Sequence, residues 1–306
     1  MTGHIVVVGS LNMDLVVRVP RHPRPGETII GGEFQTFPGG KGANQAVAAA
    51  RAGSEVVMIG CVGDDAFGAN LLQTLARDGV NTTYVRRDAQ APSGVALITV
   101  DADGQNAIVV ASGANARLSP EDVERAQDAF TGAGALLLQL ESPLETVQRA
   151  IELANARSVP VILNPAPART LDAALFATVD YLIPNEHELF LLADIEAAEG
   201  IDTAAARLRE RGARYVIVTL GGDGAAVFGM GQKIVVPPHR VSVVDTTAAG
   251  DAFVGAFGVA LSELKDVEDA VRWANAAGAL AVTRAGAQPS LPHRDEILQL
   301  LAKDKR

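Results

Sequence analysis

One repeating unit constrains this chain more than anything else in it: a short apolar run, largely β-branched, closed by glycine or a polar residue and followed by a helical stretch. Strands are expected at residues 4–9, 55–60, 135–140, 159–163, 181–183 and 215–220. Helices are expected at 45–52, ended by Gly53, and at 66–78, 119–130, 143–157, 250–264, 267–282 and 293–301. Ser119, with Asp122 three residues on, gives the 119–130 helix a capping box. Apolar runs without a polar face suit strands buried on both sides, and strands alternating with helices assemble as a parallel sheet covered on each face. The expected fold class is therefore α/β, three layers deep, with a mostly parallel sheet between helices.

Residues 15–37 break that rhythm. Three short alternating pieces, LVVRVP, ETIIGG and EFQTF, are punctuated by Pro20, Pro23, Pro25, Gly26 and the pair Gly31-Gly32. They read as a small β-excursion, and further strands are expected at 84–87, 94–100 and 106–110, with a turn at 101–104. Short strands of this kind cannot bury a face by themselves, so they close over a ligand or pair with another subunit. With 306 residues, 48% of them hydrophobic, one large domain with a small appendage is expected.

The formal charge of -10 argues against a general nucleic-acid or anionic-membrane surface, because both require clustered Lys and Arg. No signal peptide is seen, and no apolar run reaches the roughly 18 residues of a membrane span. A cytoplasmic location is the default. The single Cys61 excludes an internal disulfide and a multi-thiolate metal site, and reads as a buried small hydrophobe. Trp273 reads as packing, His187 as surface and residues 303–306 as a solvated tail.

The residues able to carry chemistry stand where strands end, which is where open α/β sheets place ligands. Asn12 and Asp14 follow the first strand and suit sugar hydroxyls, or equally a turn held by their own side chains. Glu141, Asn164, Asn185 with Glu188, and the loop Thr219-Leu220-Gly221-Gly222-Asp223-Gly224 follow later strands, and together they favour a binding crevice over isolated caps. Gly39-Gly40-Lys41-Gly42-Ala43-Asn44 opens an alanine-rich helix. It is not a P-loop, since Gly42 follows Lys41; its glycines suggest close approach to a ligand, with Lys41 and Asn44 reaching sugar oxygens. Asn185 and Glu188, three apart, share one helix face and suit hydrated magnesium, or else form a cap.

Residues 243–257, VVDTTAAGDAFVGAF, join a strand expected to end at Val243-Val244 to a helix that begins with small residues. The first turn of a helix has unpartnered N–H groups and partial positive charge, so a phosphate can approach Ala248, Ala249 and Gly250. Asp251, just inside that turn, is placed to accept a proton from an attacking hydroxyl. Carbonyls of the irregular stretch 283–290, with Asp245 and Thr247, suit a hard cation.

Taken in order, SLNMD, GGKGANQAVAAAR, QLESP, NPAPAR, PNEHE, TLGGDG, DTTAAGDAF and AVTRAGAQPS resemble the PfkB family of carbohydrate kinases, over about residues 4–295. GGKGAN and DTTAAGDAF mark the family, while QLESP, NPAPAR and TRAGAQPS narrow the likeness to members acting on ribose. The resemblance implies a single kinase domain over 1–306, with a β-sheet lid from about 15–37 and 95–110 that clasps a second subunit in a homodimer. It implies phosphorylation of the 5-hydroxyl of D-ribose by ATP, with magnesium and potassium. Asp251 matches the general base, and the N–H groups of Ala248, Ala249 and Gly250 match the anion hole. Asn12, Asp14, Gly40, Lys41, Asn44 and Glu141 match sugar-binding positions. Asn185, Thr219 to Gly224, Gly250 and Asn275 match nucleotide contacts, and Glu188 matches the position linked to magnesium through water. Asp245, Thr247, Ala281, Arg284, Gly286 and Ser290 match the potassium loop.

Overall fold

The apolar runs do become strands buried on both faces. The structure, a computed structural model, describes residues 3–229, 231–264 and 266–303; the tail residues 304–306 lie outside them. Elements are numbered along the chain. In β1 (Ile5–Val8), Ile5 and Val7 enter one hydrophobic cluster while Val6 and Val8 enter another on the opposite face. The period-2 alternation of a pleated strand thus divides one apolar run between two cores.

The first chain segments after β1 leave the main sheet as β2 (Asn12–Arg18) and β3 (Phe34–Gly39). The chain returns through α1 (Lys41–Arg51), β4 (Val56–Gly63), α2 (Ala66–Arg77) and β5 (Asn81–Asp88). After a second departure as β6 (Gly94–Val100) and β7 (Asn106–Ala111), it runs α3 (Pro120–Arg125), β8 (Ala135–Leu138), α4 (Leu144–Asn155) and β9 (Val161–Leu163). Then come α5 (Ala173–Phe176), β10 (Tyr181–Leu182), α6 (Glu186–Ala193), α7 (Ile201–Glu210) and β11 (Tyr215–Thr219). β12 (Ala225–Gly229) and β13 (Gln232–Val236) add an antiparallel edge, and α8 (Ala249–Leu264), α9 (Val267–Ala281) and α10 (Arg294–Lys303) finish the fold.

The nine-stranded sheet has the order β13-β12-β11-β10-β9-β8-β1-β4-β5 and is parallel from β11 to β5. Side chains of α1, α2, α8, α9 and α10 fill one face; those of α3, α4, α6 and α7 fill the other. From β1 the chain proceeds to β4 on one side and later to β8 on the other. That reversal of direction opens a crevice at the carboxyl ends of β1 and β8.

β2, β3, β6 and β7 form a separate four-stranded sheet, order β3-β2-β6-β7. Its register puts Asn12 and Asp14 on the same face as Ala96, Ile98, Ile108 and Val110. ETIIGG is not one of its strands. Three prolines precede that piece and remove backbone donors, and Ile30 is 90% exposed; Gly32 N–H donates only to the Arg18 carbonyl, closing the loop between β2 and β3.

Two other expectations are corrected. The helix expected over 119–130 ends at Arg125 and continues as a separate 3-10 turn over Gln127–Phe130, although the capping box of Ser119 and Asp122 forms. Val243 and Val244 are in no strand, both being 64% exposed; the N–H groups of Val244 and Asp245 converge on a single carbonyl, Val282 O, instead of entering a ladder. Val243 lines a cavity instead. The stretch over 186–210, not assigned beyond its first turn, contains α6 and α7. Cys61 is buried. Among the described residues no helix is long and apolar enough to cross a membrane.

Candidate active site

The crevice between β1 and β8 gathers four charged side chains: Asp14, Lys41, Glu141 and Asp251, each of whose charges acts on the others. Asn12, at the first position of β2, has its Oδ1 held by Asn115 Nδ2 at 2.8 Å, and Asn115 also bonds both backbone groups of Leu11. Glu141 Oε2 accepts from the Ser10 hydroxyl and, at 3.1 Å, from Lys41 N–H. Ser10 and Asn115 were not anticipated. Each is a buried polar group that orients a recognised one.

The glycines of the Gly40 to Gly42 turn have a steric reason within the chain itself, beside the ligand approach expected of them. A Cβ at Gly40, where φ is +89°, would lie 2.6 Å from Asn12 N, and one at Gly42 would lie 2.6 Å from Ser10 N. Glycine is needed there because α1 starts hard against the β1–β2 connection. That approach brings Lys41 and Asn44 up to the crevice.

Asp251 enters the crevice from the first turn of α8 and is 7% exposed. Its Oδ2 accepts from Asn44 Nδ2 at 2.9 Å and its Oδ1 from Gln45 Nε2 at 3.1 Å. Burial raises its carboxyl above the ordinary range, opposed by Lys41 and by the two amides and reinforced by Glu141. Lys41 stays protonated: burial works against its charge, but Asp251, Glu141, Glu188 and Asp14 together lift its pKa. Asn44 Oδ1 is buried with no partner among the described residues, an open acceptor for a hydroxyl.

Two cavities meet at the start of α8. The larger, about 430 Å³, is walled by Gly221, Gly222 and Gly224 after β11, by the loop His239 to Val241, and by Asn275 and Gly278 of α9. The smaller, about 210 Å³, holds Lys41, Asn164, Asn185, Glu188 and Asp251. Thr219, Thr246, Ala249 and Gly250 line both, so the two are halves of one cleft. Ala248 adopts a left-handed φ of +59°, turning the chain into α8, and lines the small half. The N–H groups of Ala248 and Gly250 find no acceptor outside the helix among the described residues, while Ala249 N–H reaches Thr246 O at 3.3 Å. Two of the three expected anion-hole donors are therefore open and the third is weakly engaged. A Cβ on Gly250 would touch no protein atom, leaving a cradle over the helix start.

Leu220 and Asp223 of the strand-end loop do not line either half. Leu220 packs on the core beneath the sheet. Asn275 Nδ2 is shared between the carbonyls of Val236 and Pro237, each at 3.3 Å, so this residue joins β13 to α9 as well as lining the cavity. The His239 to Val241 loop and Gly278 were not anticipated. Their signal is absent from the local sequence, because a proline-led loop and a glycine among alanines read as connection and packing.

Asn185 and Glu188 form a reciprocal capping box at the start of α6, at 2.8 and 2.9 Å. That was the alternative reading, yet both also line the small half of the cleft. Burial raises the Glu188 carboxyl, partly offset by Asn185 N–H and Lys41. Asp245 clamps two loops: Oδ1 accepts from Thr247 N–H and hydroxyl, and Oδ2 from Gly286 N–H at 2.9 Å. Burial opposes its charge, but the Thr247 hydroxyl, these N–H groups and Arg18 hold its carboxyl below the ordinary range. The carbonyls of Asp245, Thr247, Arg284 and Gly286 accept no backbone hydrogen bond among the described residues. Ala281 O, in contrast, accepts from Arg284 N–H, the Arg284 side chain pairs with Glu296, and the Ser290 hydroxyl is spent on Ala287 O. No cluster of three or more His, Cys, Asp or Glu suited to a metal occurs among the described residues.

A doubly wound sheet, a helix start with open N–H groups and a buried carboxylate beside a polar crevice suit a phosphotransferase acting on an alcohol. Residues 2–294 match the profile of the pfkB family carbohydrate kinase. The chain is 41% identical to the ribokinase of Haemophilus influenzae, over 98% of this chain and 99% of that protein. It is 42% identical to the deoxyribokinase of Salmonella typhi, over 97% and 98%. The structure of Arabidopsis thaliana ribokinase complexed with ribose and ATP is similar with a TM-score of 0.92 and 38% identity, over 98% of this chain and 99% of that one. The chain belongs to the PfkB family and is a carbohydrate kinase.

Proposed function

We propose that the protein transfers the γ-phosphoryl group of ATP to the 5-hydroxyl of D-ribose, giving ribose 5-phosphate and ADP. One observation carries the reading: a nucleotide-sized cavity passes through Gly250 into a smaller one holding Asp251 and Lys41. Similarity to ribokinases, one of them with ribose and ATP bound, supports the choice of substrates.

The sugar lies between Asn12, Asp14, Lys41, Asn44 and Glu141, with the orphaned Asn44 Oδ1 accepting from one of its hydroxyls. Asp251 receives the proton of the attacking hydroxyl as the new O–P bond forms and the bond from phosphorus to the β,γ-bridging oxygen breaks. Burial makes it a better base than a solvated carboxylate. In a loose transition state the proton leaves late, so most acceleration comes from positioning and from the open N–H groups at the start of α8.

Magnesium would ride on the nucleotide phosphates with Glu188 reaching it through water, an arrangement suited to a buried carboxylate outside any metal-ligand cluster among the described residues. Bound there, it supplies charge neutralisation on the transferring group. Potassium suits the unclaimed carbonyls of Asp245, Thr247, Arg284 and Gly286, beside which Ala281 and Ser290 stand. The four-stranded sheet is the lid over the sugar and the surface by which two copies pair, and the protein acts in the cytoplasm.

ADP release measured with D-ribose, 2-deoxyribose and fructose, for wild type and Asp251→Asn, tests the reading. Turnover stimulated by ribose and reduced at least 100-fold in the variant is expected. Preference for 2-deoxyribose would keep the mechanism and move the substrate towards that of the Salmonella relative. Sugar binding without turnover in wild type would sink the kinase reading of the site.

A further inference from the structure

Behind Asp251 lie two buried glutamines that neither sugar nor nucleotide needs to touch, tied to Asn164 of the small half of the cleft. Gln45, on the second turn's inner face of α1, is 0% exposed. Its Nε2 serves Asp251 Oδ1 at 3.1 Å and Asn164 Oδ1 at 3.3 Å, and its Oε1 accepts from Gln139 Nε2 at 2.6 Å. Gln139, at the end of β8, is 1% exposed and sits against Gly9, where a Cβ would collide with its Oε1. Neither glutamine lines either half of the cleft.

The direction of every amide in this series is fixed by its ends. The Ile183 carbonyl can only accept, so Asn164 must turn its Nδ2 towards it, at 2.9 Å, and its Oδ1 towards Gln45. The ionised Asp251 carboxylate can also only accept. Gln45 therefore has to present its nitrogen to both, and its oxygen to Gln139. A hydrophobic residue would fill the same volume at lower desolvation cost, so the polar choice needs a purpose.

We infer that Gln45 is a positioning residue for phosphoryl transfer, an amide locked by Gln139 and Asn164 that holds the Asp251 carboxylate in the orientation from which it takes the hydroxyl proton. The inference rests on the reading of Asp251 as base. Asn44 restrains the other carboxylate oxygen, and the two amides together fix the plane of the group as neither does alone. Because Asn44 also faces the sugar, only Gln45 separates orientation of the base from sugar binding.

The test compares Gln45→Met, Gln139→Met and Asp251→Asn with wild type in steady-state kinetics over a range of pH. Gln45→Met keeps the volume and removes the donor. Its kcat is expected to fall about 10- to 100-fold, with the KM values for ribose and ATP changed less than about 3-fold. Losing a donor that favours the charged form also moves the acidic limb of the kcat profile to higher pH, against the unchanged background of Lys41, Glu141, Asp14 and Glu188. Gln139→Met leaves Gln45 in place but unlocked, and gives a smaller loss with the limb moved the same way. Should Gln45→Met fail to fold by thermal unfolding, Gln139→Met decides alone. Wild-type kcat with an unmoved limb in the folded variant overturns the inference, and so does a loss confined to KM. Full turnover by Asp251→Asn would instead overturn the base assignment itself, and the inference with it.

Discussion

Asp14 shows what a buried carboxylate costs the fold. Burial first, then Glu141 and Asp251, push its pKa from 3.8 to about 7, with Lys41 pulling the other way. Between these values the folded protein holds a proton that the unfolded chain has released. The stability linked to this group is therefore fully present below about pH 4 and is lost as pH rises through 7. Asp14→Asn removes that loss. Its melting temperature should exceed that of wild type by more at pH 8 than at pH 5, the difference corresponding to at most about 3 kcal/mol. Ribose affinity should fall in the same variant. Equal offsets at the two pH values, read by calorimetry, would show that Asp14 is not held protonated by the fold. The sequence marks Asp14, Asn44 and Asp251 because polar residues at strand ends and helix starts stand out from apolar runs. Gln45, Gln139 and Asn115 give no such signal. A glutamine in an alanine-rich helix looks like a solvated face, and only the tertiary packing of α1 on β8 and α8 puts it inside.

At the scale of elements, the β-α alternation was legible because each strand satisfies both its faces from one short apolar run, as β1 does. Where the apolar character serves something other than a ladder, the pattern misleads. ETIIGG has the composition of a strand but no neighbour to pair with, and Val243 lines a cavity. The start of α8 was legible from three small residues before Asp251, and those residues line the cleft. Gly250 makes their role testable. Glycine in a helix is worse than alanine by up to about 1 kcal/mol, and a Cβ here meets no protein atom. Gly250→Ala should therefore melt at the same temperature as wild type or slightly above it. Its kcat/KM for ATP should drop about 100-fold, because the new methyl occupies the phosphate cradle. A variant that is more stable and equally active would place the phosphate elsewhere.

For the whole molecule, the question is what covers the four-stranded sheet. All six residues of β7 are exposed, and its outer edge has no partner strand among the described residues. On the face that carries Asn12 and Asp14, Ile108 is 55% exposed and Val110 45%. An apolar sheet edge left open invites uncontrolled pairing, and proteins cover or charge such edges. The proposed pairing would resolve this, with a second copy of the same sheet, related by a two-fold axis, over the apolar face. Ile108→Lys places a charge in the middle of that contact, on a strand that does not carry Asp251. Sedimentation equilibrium at micromolar concentration should give a dimer for wild type and a monomer for the variant. Because a lid without its partner is less well held, KM for ribose should rise about 10-fold or more while Asp251 chemistry, read as kcat at saturation, changes little. A monomeric wild type would refute the pairing. A dimeric variant with unchanged KM would move the contact to another surface, and leave the exposed strand without the function assigned to it.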